Sequence, residues 1–143
     1  MTEKNSSDTH KLTALLEAAQ KVQAKASAPY SHFPVGAALE TKDGKIYTGC
    51  NIESSSFGLT ICAERVALFK AISEGENEFT RIVVKTDTNE FCPPCGACRQ
   101  VLFDFAPQIE IVMQNHKGEI RKKSIVELLP EAFGKEFLKN RDK

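Results

Sequence analysis

The sequence predicts an α/β fold in which helices pack on both faces of one mixed, five-stranded sheet. Segments with helical periodicity alternate with short apolar or β-branched segments along the chain. Two pairs of predicted strands are separated by turn residues typical of hairpins, whose strands are antiparallel. Other strands are separated by a helix, and strands joined in this way are expected to run parallel. The combination predicts a three-layer α/β/α arrangement.

Periodicity and turn chemistry assign each element. Apolar residues recur every three or four positions from about Asp8 to Ala26, which indicates an amphipathic helix that Pro29 helps to end. Gly44 suits a hairpin turn, and Gly75 suits the C-terminal cap of a helix. The predicted strands are 35–40, 45–51, 81–86, 109–114 and 119–124. Besides the first helix, the predicted helices are 62–74, 96–105, 124–129 and 135–138.

Length and charge indicate one domain without a polyanionic partner. A chain of 143 residues has the usual size of a single domain, so we expect one domain over 1–143 with a polar, flexible segment over about 1–9. Nineteen basic and nineteen acidic side chains cancel, which gives no reason to expect nucleic-acid binding. No segment approaches the roughly 20 apolar residues of a membrane helix. The expected location is the cytoplasm.

Three of the five cysteines form a pattern typical of a metal site. An odd number of cysteines in a reducing compartment argues against a disulfide framework. Cys62 and the pair Cys95 and Cys98 lie where helices are predicted to begin, and a helix N-terminus stabilises a thiolate. Zinc suits three such ligands, which leave its fourth position open as in catalytic zinc sites. We therefore expect one Zn²⁺ per subunit.

Glu64, two residues after Cys62, is the predicted catalytic residue. Zinc lowers the pKa of a bound water to near neutral, and Glu64 can take its proton and pass it to a departing amine. Residues two apart do not share a helical face, so we expect Cys62 at the helix edge and Ala63 outside regular helical geometry. Arg65 is expected to donate hydrogen bonds to the thiolates and offset their charge. The alternative is that Arg65 lies on a solvated face.

Other uses of the cysteines stay open at this point. Cys92, Cys95 and Cys98 match the C-x2-C-x2-C run of iron–sulfur ligation. A structural zinc with Cys50 or Cys92 as its fourth ligand is also compatible, although it leaves Glu64 without a role. A redox pair is disfavoured by the proline before Cys95 and by the separate Cys-Ala-Glu motif.

Six separated segments carry a more specific signal. They are APYSHFPVGAAL from Ala28, GCNIE from Gly49, ICAER from Ile61, KAISEG from Lys70, PCGACRQVL from Pro94 and ELLPEAF from Glu127. Zinc deaminases carry H-x-E followed by P-C-x-x-C, and here Cys replaces the His. With these segments, the chain resembles the small homotetrameric zinc-dependent cytidine deaminases.

The resemblance implies hydrolysis of cytidine and 2′-deoxycytidine to uridine, 2′-deoxyuridine and ammonia, as in pyrimidine salvage. It also implies a helix-flanked mixed sheet and a homotetramer with shared active sites. By the same resemblance, Phe33 packs beside the nucleoside, Asn51 and Glu53 hold the ribose hydroxyls, and Ala63 contacts the base through its backbone. Glu64 would bind the ring nitrogen and shuttle protons.

Phe57 and Phe133 match aromatic positions that family members lend to a neighbouring subunit's site. A buried Glu53 near the sugar would repel a 5′-phosphate, so we expect a nucleoside rather than a nucleotide. Val66 stands where many relatives have Thr, which leaves tolerance of modified cytosines open. The nearest rival is a blasticidin-S-type deaminase, against which Asn51 and Glu53 argue. From another class, a structural zinc or iron–sulfur module remains the alternative.

Overall fold

The computed structural model describes residues 3–139, with side chains from residue 6, and has the predicted three-layer α/β/α architecture. Residues 1, 2 and 140–143 of the predicted domain lie outside the described residues. The helices are α1 (Glu3–Gln23), α2 (Ala63–Ser73), α3 (Gly96–Phe105) and α4 (Ile125–Leu128), with 3-10 helices at Phe57–Leu59 and Lys135–Leu138. The strands are β1 (Gly36–Thr41), β2 (Ile46–Cys50), β3 (Phe79–Lys85), β4 (Glu110–Gln114) and β5 (Ile120–Ser124).

The five strands form one mixed sheet in the order β2-β1-β3-β4-β5. Strand β1 is antiparallel to both β2 and β3, β3 is parallel to β4, and β4 is antiparallel to β5. Strands β2, β3 and β4 therefore run in one direction, as expected for strands joined through α2 and α3. Their carboxyl ends lie at one edge of the sheet, where ligands bind in open α/β sheets.

Both faces of the sheet are covered. Helix α1 packs on one face, where Leu15 and Ala19 meet Ala38 of β1. On the other face α2, α3 and α4 pack against Ala37 and Leu39, the neighbours of Ala38 in β1. All residues of β1 are buried, which is typical of a central strand covered on two sides. No helix within residues 3–139 is long and apolar enough to cross a membrane.

Helix α1 begins earlier than the sequence predicts. The apolar repeat predicts a helix from about Asp8, but the helix already begins at Glu3. Apolar periodicity marks only the part of a helix that packs on the core, whereas its exposed first turns need no apolar residue. Residues 3–9 contain neither proline nor glycine, so no residue in this segment interrupts the helix.

Helix α1 also ends before Pro29. Its last residue is Gln23, whose side-chain amide donates a hydrogen bond to the carbonyl of Pro34 at 3.0 Å. The Ser27 N–H then donates to the carbonyl of Asn51 at 3.0 Å. The chain leaves the helix to bind distant segments, and these long-range hydrogen bonds explain the end of α1.

The first turn of α2 lies directly against β2. A Cβ atom on Gly49 would lie 2.5 Å from the amide nitrogen of Ala67 and 2.6 Å from the carbonyl oxygen of Ala63. One helical turn further, the Lys70 ammonium donates to the carbonyl of Thr48 at 2.6 Å. The position of α2 along β2 is therefore fixed by backbone contact, which requires glycine at position 49.

Gly49→Ala is expected to lower the free energy of unfolding by roughly 1–3 kcal/mol, because the methyl group overpacks a backbone contact. Urea unfolding followed by circular dichroism measures the change. Gly58→Ala is the matched control, since a Cβ atom there meets nothing within 4 Å. Equal stabilities of the two variants would contradict the close approach of α2 to β2.

Candidate metal centre and active site

A cleft of about 330 Å³ opens at the edge of the sheet where β2 and β3 end and β1 begins. Its walls come from the segments that precede β1 and follow β2 and β3. The residues predicted for the site that line this cleft are Phe33, Asn51, Glu53, Cys62, Ala63, Glu64 and Cys95. The structure therefore brings these candidate metal, catalytic and nucleoside-binding residues to one place, whereas Cys98, Arg65 and Phe57 do not line the cleft.

Two cysteines of the site are the N-cap residues of facing helices. Cys62 precedes α2 with φ −72° and ψ 154°, and Cys95 precedes α3 with φ −65° and ψ 166°. The prediction that Cys62 stands at a helix edge is confirmed. The expectation that Ala63 lies outside the helix is wrong, because Ala63 is the first residue of α2. The chain leaves helical geometry at Cys62, whose backbone is extended, and not at Ala63.

The sulfur atoms of the three predicted ligands converge on one point, and one pair lies at the separation expected around zinc. The sulfur atoms of Cys62 and Cys95 lie 3.8 Å apart, and those of Cys62, Cys95 and Cys98 all lie within 4.8 Å of one another. Tetrahedral coordination with Zn–S bonds of about 2.3 Å places two sulfurs about 3.8 Å apart. These three thiols are thus positioned to hold Zn²⁺.

The remaining cysteines do not complete a four-thiol site. Cys50 and Cys92 are both among the described residues, and neither belongs to the group of converging ligand atoms. The iron–sulfur and four-cysteine zinc alternatives both require one of these two thiols. The observed geometry instead provides three protein ligands, which is the number found in catalytic zinc sites.

Hydrogen bonds stabilise a thiolate at Cys62. Its pKa falls to about 5, first because the Cys98 thiol donates a hydrogen bond to it and also because Arg65 and Cys95 do so. The Arg65 Nη2 atom lies 3.5 Å from the Cys62 sulfur, which is the contact expected of it from the sequence. The pKa of Cys98 is raised, because its proton is shared with Cys62 and its sulfur is buried.

Glu64 is a buried carboxyl group beside these thiols. Its side chain lines the cleft, although the residue is only 5% exposed. Burial raises the pKa of Glu64, and the charge of Cys62 raises it further, while a hydrogen bond from the Cys98 thiol acts in the opposite direction. A carboxyl group in such surroundings holds a proton more readily than one in water.

Asn51 and Glu53 bind the segment that precedes β1. The Asn51 amide donates to the carbonyl of Phe33 at 2.8 Å and accepts from the Val35 N–H at 2.9 Å. The Glu53 carboxylate accepts hydrogen bonds from the Ser31 hydroxyl and from two backbone N–H groups. The Ser31 hydroxyl is the main reason that the pKa of Glu53 is lowered.

Glu53 is half-buried, whereas the sequence led us to expect a buried carboxylate. The reason is that Glu53 lies past the end of β2, in a segment that follows the rim of the cleft. Its lowered pKa nevertheless keeps it ionised at neutral pH. A negative charge therefore lies at the rim, as the expected exclusion of phosphate requires.

The two predicted aromatic contacts lie outside the cleft of their own chain. Phe57 is 73% exposed and packs edge to face on Tyr30, with ring centroids 5.5 Å apart. Phe133 is 59% exposed and stacks on Phe137, with centroids 5.6 Å apart. Both rings are available to a second chain.

Several residues of the cleft were not predicted from the sequence. They are Ser31, Val35, Thr60, Val84, Thr86, Cys92 and Pro93. Val84 and Thr86 lie at the carboxyl end of a predicted strand, a position that points to the ligand edge of a sheet. Ser31 and Val35 flank the predicted Phe33. Thr60 has no comparable local signal, because its place depends on the 3-10 helix before it.

Replacing any one of the three converging cysteines by serine is expected to lower zinc affinity sharply. The loss should exceed the roughly 10–100-fold that follows removal of an outer hydrogen-bond partner. Metal content after gel filtration and competition with a chelator provide the measurement. Cys50→Ser and Cys92→Ser are the controls and should keep one zinc per subunit. Loss of metal in Cys92→Ser, together with a coloured wild-type protein, would favour an iron–sulfur cluster instead.

Comparison with known proteins agrees with this geometry. Residues 9–114 match the family model described as the cytidine and deoxycytidylate deaminase zinc-binding region. A cytidine deaminase from Sporosarcina psychrophila is 47% identical over 125 residues, 87% of this chain and 92% of that protein. The 1.6 Å crystal structure of cytidine deaminase from Burkholderia pseudomallei has a TM-score of 0.82 at 47% identity, covering 93% of this chain and 100% of its own.

A blasticidin-S deaminase from Bacillus cereus is also similar, with 35% identity over 104 residues, 67% of this chain and 74% of that protein. The resemblance found in the sequence is confirmed by these matches. These similarities cover about nine-tenths of the chain, and the region matched by the family model spans the positions of all three converging cysteines and of Glu64. The chain therefore belongs to the zinc-dependent cytidine deaminase family.

Proposed function

We propose that this protein hydrolyses cytidine and 2′-deoxycytidine to uridine and 2′-deoxyuridine, with release of ammonia. One observation carries the proposal: the buried carboxyl group of Glu64 lines the same cleft as Cys62 and Cys95, two of the three converging thiols. A three-ligand zinc site leaves one position for a reacting group. A structural zinc would use all four positions and would have no need of a carboxyl group beside it.

Glu64 is the proposed proton carrier of the reaction. Zinc, when bound by Cys62, Cys95 and Cys98, supplies an activated water as the nucleophile for C4 of cytosine. Glu64 takes a proton from this water and delivers it to N3 of the ring as the C–O bond forms. It would then move the proton of the new C4 hydroxyl group to the exocyclic amine, so that the C4–N bond breaks, the C4 carbonyl forms and ammonia leaves. Burial excludes bulk water from this carboxyl group.

Phe33, Asn51, Glu53 and Ala63 are the proposed contacts to the nucleoside. Phe33 offers an apolar wall, and the backbone of Ala63 lies at the start of α2 beside the metal ligands. The Asn51 amide retains one unused N–H, and the Glu53 carboxylate retains at least one free acceptor position. These groups can bind ribose hydroxyls while they hold the segment before β1.

The charge of Glu53 supports a nucleoside rather than a nucleotide as the substrate. A 5′-phosphate near this ionised carboxylate would meet a like charge, and among the described residues no lysine or arginine lines the cleft to compensate. Similarity to a blasticidin-S deaminase makes blasticidin S, an analogue of a cytosine nucleoside, the second candidate substrate. The polar pair Asn51 and Glu53 favours the ordinary ribose nucleoside.

Ammonia release from cytidine, 2′-deoxycytidine, cytosine, CMP and blasticidin S tests the reaction and its substrate. Both nucleosides should be turned over, with CMP at least about tenfold less efficient because of charge repulsion. Glu64→Gln should lower kcat by roughly 10²–10⁴-fold, the range typical of acid–base residues, while zinc stays bound. Absence of turnover of both nucleosides by the zinc-loaded protein would exclude the proposed activity. Turnover of blasticidin S alone would select the second candidate.

We further propose that the protein works as a homotetramer in the cytoplasm, in pyrimidine salvage. The exposed rings of Phe57 and Phe133 lie outside their own cleft, and such aromatic residues favour contact with another chain. Three uncrosslinked thiols must also stay reduced to bind a metal, which suits a reducing compartment. The proposal assigns Phe133 to the cleft of a neighbouring subunit.

Mixing two impaired variants tests the shared sites. Phe133→Ala should lower kcat/KM by about tenfold through loss of an aromatic contact, and Glu64→Gln removes the proton carrier. After complete subunit exchange in equal amounts, about one quarter of the sites should contain both intact residues, because each site then draws its two chains independently from an equal mixture. Activity should therefore recover to about a quarter of the wild-type value.

A mixture of Glu64→Gln with Glu64→Ala serves as the control and should recover nothing. Sedimentation or light scattering establishes the oligomeric state of each sample. Failure of the Phe133→Ala and Glu64→Gln mixture to recover in a verified mixed oligomer would mean that each site is built from one chain.

A further inference from the structure

Arg99, the residue after Cys98 on α3, binds two backbone carbonyl groups from distant parts of the chain. Its Nε atom donates to the carbonyl of Pro94 at 2.7 Å, and its Nη1 atom donates to the carbonyl of Leu128 at 2.8 Å. Pro94 directly precedes the ligand Cys95, and Leu128 is the last residue of α4. The guanidinium group thus joins the metal-binding loop to the C-terminal segment.

The same residue holds the main chain on both sides of Cys95. The backbone N–H of Arg99 donates to the carbonyl of Cys95 at 3.0 Å, while its side chain holds the carbonyl of Pro94. Pro94 is buried, but Cys95 is exposed. The Cys95 side chain therefore has little packing of its own to fix its direction, and the two flanking peptide groups determine where its sulfur points.

The Leu128 carbonyl belongs to a helix, α4, that is firmly anchored in the fold. Helix α4 starts with a capping box, in which Ser124 and Glu127 bind each other's backbone N–H groups, and its first residue Ile125 is fully buried in the core. Hydrogen bonds from a charged guanidinium are stronger than neutral ones, and its planar fork holds two acceptors in a fixed relation. Arg99 therefore ties the backbone beside Cys95 to α4, which is itself anchored in the core.

We propose that Arg99 is a positioning residue for the metal centre, which sets the direction of the Cys95 sulfur by tying the Pro94 peptide to the end of α4. The inference rests on the proposed zinc site of Cys62, Cys95 and Cys98 but does not depend on the identity of the substrate. Arg99 neither lines the cleft nor belongs to the group of converging ligands. It acts through the backbone that carries one ligand.

Gln100 offers a closely matched control. It follows Arg99 on the same helix and also ties α3 to the C-terminal segment, since its side-chain amide donates to the carbonyl of Phe133 at 2.8 Å. Within residues 3–139, the side-chain amide of Gln100 donates to Phe133 and Asp104 and not to the backbone around Cys95. Comparing the two residues separates anchoring of the C-terminal segment from positioning of the ligand.

The test measures zinc affinity by competition with a chromophoric chelator, and ligand geometry from the visible and sulfur-to-cobalt absorption bands of the Co²⁺-substituted protein. Arg99→Ala should lower zinc affinity by about tenfold or more and shift the cobalt bands, whereas Gln100→Ala should keep the affinity within about twofold and leave the bands unchanged. Arg99→Lys keeps the charge but not the fork, so its affinity should fall between those of wild type and Arg99→Ala.

Wild-type zinc affinity and cobalt bands in both Arg99 variants would overturn the inference, as would equal losses in Arg99→Ala and Gln100→Ala. If Arg99→Ala does not fold, the zinc affinities and cobalt bands of Arg99→Lys and Gln100→Ala are compared instead. Equal values in these two variants would then overturn the inference. Neither readout uses deaminase turnover. A protein that shows the expected zinc affinities but releases no ammonia from cytidine would refute the proposed function and leave the role of Arg99 standing.

Discussion

The site depends on two helices that begin at the same edge of the sheet. Strands β2 and β3 run in one direction, and the chain enters α2 and α3 after leaving their carboxyl ends. The N-cap residues Cys62 and Cys95 therefore meet, each beside the unpaired amide groups of a helix start. Contact of Gly49 with α2 fixes one of these helices against the sheet. The tie from Arg99 to Pro94 fixes the start of the other.

The insertion of β1 between β2 and β3 supplies the remaining wall of the cleft. Because β1 runs against its neighbours, it starts at the edge where they end, and the segment containing Phe33 arrives beside the thiols. Asn51 and Glu53 bind this segment through its backbone. The same polar groups thus hold the wall in place and face the space where a sugar would lie. Loss of either side chain affects both the wall and the proposed ribose contacts.

Local patterns in the sequence predicted most of the elements, because hairpin turns and helix starts depend on neighbouring residues. Gly44 and Gly75 have the positive φ values, 89° and 96°, that their predicted roles require. The three cysteine ligands could be predicted for the same reason, since their spacing and the helix starts beside them are local features of the sequence. The place of β1 in the sheet and the position of Thr60 in the cleft could not be predicted from the sequence, because both result from packing of distant segments. The partners of Arg99 lie 5 and 29 residues away, and no motif specifies the second.

The charges around the thiols indicate why this cluster suits a divalent cation. Without one, Cys62 becomes a thiolate only while Cys98 keeps its proton, so the sulfur atoms share hydrogen rather than ionise together. The buried carboxyl group of Glu64 adds another acid to the same small volume, and Arg65 is the nearby cation that bonds to a sulfur. Two helix N-termini and one guanidinium offset one thiolate, but three thiolates need a larger positive charge. A dication at the centre of the three sulfurs would supply it, and the remaining negative charge would raise the proton affinity of Glu64, as its proposed role of taking a proton from water requires.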